Sequence, residues 1–189
     1  MEAVRVLVLD VDTQDTTRSM DTHSIRFLSP GLAAEYAASG QLLYSEAYLE
    51  RIDEDRMWCV GAESAEGLQS FAWLHEGIAE KEMNEGYHSA TATEIRLSAE
   101  AAFVFNVFTT PESRGLGLMP AILGHAATKL RRTRGVRWLV TTTEITNDAA
   151  RAGFLKSGFR EVGQYFRYGI GKQAWGSYPK PEGPIRGFA

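Results

Sequence analysis

The chain has one cysteine, Cys59, so no disulfide framework can form within it. Cys59 lies in an apolar run and reads as a buried strand residue rather than a nucleophile. Of the four histidines, His23, His75, His88 and His125, none stands at a metal-ligand spacing, and no metal is expected. No apolar run approaches the roughly 20 residues of a membrane-spanning helix. The first ten residues lack the basic and long apolar stretches of a secretory signal, so the expectation is a cytoplasmic protein with no membrane partner. Positive charge is not in excess. A formal net charge of −4 argues against a nucleic-acid surface. Three of the six prolines, Pro179, Pro181 and Pro184, fall in the last dozen residues, which read as an extended tail.

What is present is a chain of 189 residues, 44% apolar and 11% aromatic, long enough for one domain with a sizeable core. Alternation over residues 4–9 reads as a first strand. Ser29 and Pro30 read as the N-cap and first residue of a helix reaching about Ser39, and a second helical segment follows over 42–52. Residues 56–62 and 68–78 read as strands joined by a hairpin-length loop. Residues 80–90 have no period and read as an insertion or a loop near a substrate. A short strand over 93–97 precedes a central strand over 101–109. Strict alternation would put Phe103, Phe105 and Val107 on one face of that strand and Val104, Asn106 and Phe108 on the other. Both faces are mostly apolar, as in a strand buried on both sides.

The central strand runs into Thr109-Thr110-Pro111-Glu112-Ser113-Arg114-Gly115-Leu116-Gly117-Leu118. A helix follows, with Leu118, Ile122, Ala126 and Leu130 at intervals of four. A turn entering a helix leaves backbone N–H groups unpaired where the dipole favours an anion. Gly115 and Gly117 remove side chains that would hold a phosphate away, and Arg114 adds a positive charge. A dinucleotide fingerprint is excluded because its third glycine position is Pro120, and a Walker loop because no Lys and Ser or Thr follow Gly117. The basic run 129–134 reads as a helix C-terminus closed by Gly135, the alternative being a contact to a phosphate.

The segment Pro111-Glu112-Ser113-Arg114-Gly115-Leu116-Gly117 resembles motif A of the GCN5-related N-acetyltransferases, with Met119 where that family usually has Gly or Ala. Downstream, Asn147 to Phe159 resembles the family's motif B, in which an Asn opens a short helix ending in Lys-x-Gly-Phe. The resemblance covers residues 92–170. It implies an α/β (α+β) fold with a central mixed, twisted sheet splayed at the acyl-CoA site and helices on both faces. The implied domain spans residues 1–171, with a tail over 172–189.

The resemblance further implies an N-acyltransferase that takes acetyl-CoA as donor and a small-molecule amine as acceptor, as a monomer or homodimer. Phe108 and Thr109 would pair with the pantetheine, and Arg114, Gly115, Leu116, Gly117, Leu118 and Met119 would hold the pyrophosphate. Asn147 would cap its helix and touch the pantetheine arm. Phe154 would stand beside the cofactor, where many relatives have the Tyr that protonates the leaving thiolate. Asn106, as the one polar side chain inside the strand, is expected to have a partner and to orient substrate or water. Glu100 and His75 are the titratable candidates for a base. The alternatives are a non-catalytic CoA-binding sensor or scaffold, and a transferase using a longer acyl donor or a sugar or peptide amine.

Overall fold

The computed structural model describes residues 1–13, 22–43, 46–52, 56–84, 92–170 and 173–189. In chain order the elements are β1 (Glu2–Asp10), β2 (Ser24–Phe27), α1 (Pro30–Ala38), α2 (Glu46–Arg51), β3 (Met57–Ser64), β4 (Gly67–Glu76), β5 (Ile78–Ala79), β6 (Ile95–Leu97), β7 (Ala101–Thr109), α3 (Leu118–Arg134), β8 (Trp138–Glu144), α4 (Asp148–Lys156), β9 (Arg160–Ile170), β10 (Gln173–Ser177) and β11 (Ile185–Phe188). Eight strands form a mixed sheet in the order β10-β9-β1-β8-β7-β4-β3-β2, and β11-β6-β5 form a small second sheet. β7 and β8 run parallel, joined through α3 as a parallel crossover requires.

Each face of the large sheet carries its own core. α1, α2 and the small sheet cover one face, over Val4, Val6, Val8, Phe71, Trp73, Phe103, Phe105 and Tyr165. α3 and α4 cover the other, over Leu7, Leu9, Leu74, Val104 and Leu139. Local chemistry sets the helix ends. Ser29 accepts from the Leu32 N–H at 3.4 Å at the start of α1, and Asn147 accepts from the Ala150 N–H at 3.0 Å at the start of α4. Gly135 closes α3 in the left-handed region, with its N–H turned back to the Arg131 and Leu130 carbonyls.

The basic run is therefore a helix C-terminus. Arg131 pairs with Asp12 at 2.9 Å and Arg134 with Glu76 at 3.3 Å. They lie at the far end of a 17-residue helix, about 25 Å from the glycine turn.

β1 lies in the middle of the sheet, between β8 and β9. Three features differ from the sequence reading. The second helix spans six residues rather than eleven. Residues 173–189 carry two paired strands, and the chain's last residue exchanges backbone hydrogen bonds with Glu94 at 2.8 and 2.9 Å. The faces of β7 also switch past Phe105. Val107 joins the α3 side and Phe108 the α1 side, because a bulge at Asn106 inserts one residue opposite β4. The expected loop over 80–90 falls largely on residues outside the described set.

Candidate functional site at the fork between β7 and β8

β7 and β8 pair only from Ala101–Trp138 to Val104–Thr141, although both strands continue. The Thr141 hydroxyl donates to the Val104 carbonyl at 2.9 Å and closes the base of the fork. Beyond it, the β7 edge that faces β8 has no strand partner among the described residues, so its backbone groups are open to an added strand. Asn106 marks where the strands part. Its φ of 46° is a left-handed conformation rare outside glycine, and its side chain is exposed. The expectation of a buried, partnered Asn106 is thereby corrected: the bulge turns the side chain outward, and among the described residues it makes no hydrogen bond.

β4 braces the free length of β7. The Ser70 hydroxyl donates to the Phe108 carbonyl at 2.9 Å and lies 2.8 Å from the Thr109 hydroxyl. Gln69 fixes the turn that follows. Its carbonyl accepts the Thr110 N–H at 2.9 Å, and its buried Oε1 accepts from the Thr110 hydroxyl at 3.1 Å and the Ser113 hydroxyl at 2.9 Å. Nothing in the sequence singled out Gln69. Its alternation with apolar neighbours is the signature of any strand residue.

The turn then delivers a row of donors. Gly115 and Gly117 have φ of 84° and 81°, the conformation that glycine tolerates best. The N–H groups of Gly115, Leu116, Gly117, Leu118 and Met119 have no hydrogen-bond partner among the described residues, and Pro120 has no N–H to satisfy. A side chain added at Gly115 would meet nothing within 4 Å, so the space over the turn is open. Arg114 is exposed beside it, with Nε 3.4 Å from the Thr109 carbonyl. Met119 packs against α4: its sulfur lies 2.7 Å from where a Cβ on Gly153 would be. Donors, positive charge and open space together fit a pyrophosphate.

The other candidates are placed elsewhere. Glu100 precedes β7, about 30 Å along the strand from Thr109, and is exposed. His75 is opposite Phe103, buried, with Nδ1 2.9 Å from the Ile78 carbonyl and Nε2 3.0 Å from the Arg51 guanidinium. That arrangement fixes one neutral tautomer and leaves neither ring nitrogen for a substrate. Phe154 is only 4% exposed, in edge-to-face contact with Phe159 at 5.2 Å, within the core on the α3 side. His88 lies outside the described residues. Burial pushes the Cys59 thiol pKa up, consistent with an inert core residue.

A polar network missed by sequence reading borders the fork on the α1 face. Thr142 of β8 donates to Asn84 Oδ1, and Asn84 Nδ2 donates to the Thr93 carbonyl at 2.9 Å and the Tyr165 hydroxyl at 3.0 Å. Arg167 donates to the Asn84 carbonyl at 2.8 Å and pairs with Glu2 at 3.1 Å. Burial pushes the Tyr165 phenol pKa up against the opposing pull of Arg167 and Asn84. The tail supplies a wall: Tyr178 stacks on Phe188 at 5.0 Å, and both rings lie 5.5 Å from Tyr165.

A separate cleft of about 620 Å³, lined in part by His23, Arg26, Tyr36 and Glu63, lies at the outer strand β2. That is three strand spacings, about 14 Å, from β7. Glu63 already engages Arg26 with both oxygens, at 2.6 and 3.0 Å.

No family model and no curated protein matches the sequence. Solved structures do match the fold. A tandem GNAT protein from the clavulanic acid biosynthesis pathway superposes with a TM-score of 0.59 at 17% identity, over 86% of this chain and 51% of its own. GCN5-related N-acetyltransferases from Sphaerobacter thermophilus and Kribbella flavida give TM-scores of 0.57 and 0.56 at 14% and 12% identity, over 86% of this chain and 49% and 55% of theirs. The chain thus has the GCN5-related N-acetyltransferase fold and spans about half the length of these structures.

Proposed function

We propose that this protein is an acyl-CoA-dependent N-acyltransferase that moves acetyl from acetyl-CoA to the amine of a small molecule, both substrates being bound together. One conjunction carries this reading. A strand edge left unpaired by the fork leads directly into five N–H groups at a glycine turn, edge and N–H groups alike without a partner among the described residues. An acyl-CoA is a strand-like pantetheine arm followed by a pyrophosphate, and the two features lie in that order.

In this reading Val107, Phe108 and Thr109 pair with the pantetheine, and Arg114 through Met119 hold the pyrophosphate. Asn147, at the head of α4, borders the arm. Bound acyl-CoA supplies an already activated thioester, so the chain's task is placement and charge stabilisation. A backbone N–H on the free edge of β7 polarises the carbonyl as an oxyanion hole does. Phe154 has no proton to give. A thiol with a pKa of about 8.5 can leave as thiolate near neutral pH without a dedicated acid.

That buried phenyl ring also favours a second reading, a CoA-binding relative that does not turn over. The two separate experimentally. A thermal-shift titration with acetyl-CoA, CoA, a longer acyl-CoA and NAD tests the site. At about 100 times its dissociation constant a ligand stabilises by about 2.7 kcal/mol, a shift of several degrees for a chain this size. A saturable shift with CoA species and none with NAD is expected, and no shift with any CoA species overturns the proposal. Thiol release from acetyl-CoA in the presence of an amine panel then separates enzyme from sensor.

A further inference from the structure

The cleft at β2 lies at the outer end of the large sheet, away from the fork. Its volume of about 620 Å³ is that of a small-ligand site. An ion pair forms part of its wall. Glu63, 7% exposed near the end of β3, accepts the Arg26 Nε–H at 2.6 Å, an Arg26 Nη2–H at 3.0 Å and the Tyr36 hydroxyl at 2.7 Å. Both carboxylate oxygens are engaged, and one edge of the guanidinium is fixed in place. A guanidinium has five N–H donors. The three on its other edge, along Nη1 and Nη2, have no partner among the described residues, and the Arg26 side chain is 55% exposed. More donors line the same cleft. His23 has Nδ1 2.9 Å from the Thr22 hydroxyl, and its Nε2 has no partner among the described residues. A neutral ring that accepts from Thr22 carries its proton on Nε2, and an imidazolium carries one there too, so an anion finds a donor in both forms. Ser64 Oγ accepts the Glu66 N–H at 3.1 Å and keeps its own proton to give. The Ser24 hydroxyl is also in the lining, where Glu63 is the one carboxylate.

We propose that this cleft is a second ligand site, which takes the carboxylate of a small hydroxylated organic acid. The carboxylate lies along the Nη1–Nη2 edge of Arg26 in a two-pronged contact, the geometry that a planar guanidinium offers. Glu63 and Tyr36 position that guanidinium and do not touch the ligand's carboxylate. The charge balance selects the anion. Glu63 already offsets the charge of Arg26, so the wall offers many donors with little excess charge, which suits a single carboxylate better than a phosphate dianion. The lining selects the body. Beside the ion pair it presents the Ser24 and Ser64 hydroxyls and His23, groups that pair with hydroxyls and give an alkyl chain little to pack against. The inference is independent of the acyltransferase reading.

The test titrates gluconate, hexanoate and inorganic phosphate into the wild type, R26K and H23A by calorimetry, each with and without saturating CoA. Gluconate and hexanoate share a six-carbon chain and one carboxylate and differ in hydroxyls. The wild type is expected to bind gluconate at one site, more tightly than hexanoate or phosphate, and equally well with CoA present. R26K keeps a cation beside Glu63 but loses the planar fork, and is expected to bind gluconate about tenfold or more weakly. H23A should weaken it by a smaller factor. A wild type that binds no gluconate overturns the proposal, whatever the variants do. So does equal binding by wild type and R26K, or hexanoate or phosphate binding as tightly as gluconate. Gluconate displaced by CoA would place it on the glycine turn and overturn the proposal as well. If CoA itself does not bind, the acyltransferase reading fails, and the comparison of wild type with R26K still decides this one.

Discussion

Gln69 holds the start of the glycine turn through a single buried oxygen that accepts from two hydroxyls. Replacing it with leucine keeps the volume but leaves the buried Ser113 hydroxyl without its acceptor. An unsatisfied buried polar group costs about 1–3 kcal/mol. Q69L is therefore expected to lower unfolding stability by that amount in urea denaturation, and to weaken acetyl-CoA binding because the turn loses its anchor. Single residues were also where sequence reasoning erred. Glu100 and His75 were candidates because carboxylates and imidazoles can accept protons. Residue type does not reveal that one stands at the wrong end of β7 and that both nitrogens of the other are engaged.

At the scale of elements, the edge strand β2 is fastened to β3 and α1 by Arg26, Glu63 and Tyr36. Burial alone would push the Glu63 carboxyl pKa up. The hydrogen bonds from Arg26 and Tyr36, and the charge of Arg26, outweigh it and hold the pKa below the ordinary carboxylate value. The Tyr36 phenol is pushed up to about 12 by burial and by Glu63, so it remains a donor throughout the neutral range. A carboxyl whose folded pKa is depressed stabilises the fold fully above its unfolded pKa of about 4.3, and loses that contribution as pH falls through the folded value. The stability gap between wild type and E63Q should therefore be flat from pH 6 to 8 and shrink below about pH 4, measured by denaturant melts across pH. A gap that persists unchanged into acid would contradict the arrangement. The bulge in β7 belongs to this scale too. The alternating sequence reads as an uninterrupted strand, and the extra residue at Asn106 appears only once β4 is laid beside it.

At the scale of the whole molecule, the local and non-local parts of the fold were unequally legible. The strand, glycine turn and helix between Ala101 and Arg134 lie within one continuous stretch, and their order could be read directly. The caps at Ser29, Gly135 and Asn147 were legible for the same reason. The insertion of β1 between β8 and β9 pairs residues more than a hundred positions apart, which no local pattern encodes. The pairing of the last residues with β6 is likewise long-range, so a tail that builds one wall beside the fork read only as an extension.

The central claim is that acyl-CoA occupies the free edge of β7 and the donors of the turn. Amide hydrogen exchange with and without saturating acetyl-CoA tests it most directly. The account predicts slowed exchange at the amides of Gly115, Leu116, Gly117, Leu118 and Met119 and along residues 107–109, with little change in the basic C-terminal turn of α3. Bound acetyl-CoA that leaves the exchange of those amides unchanged would contradict it.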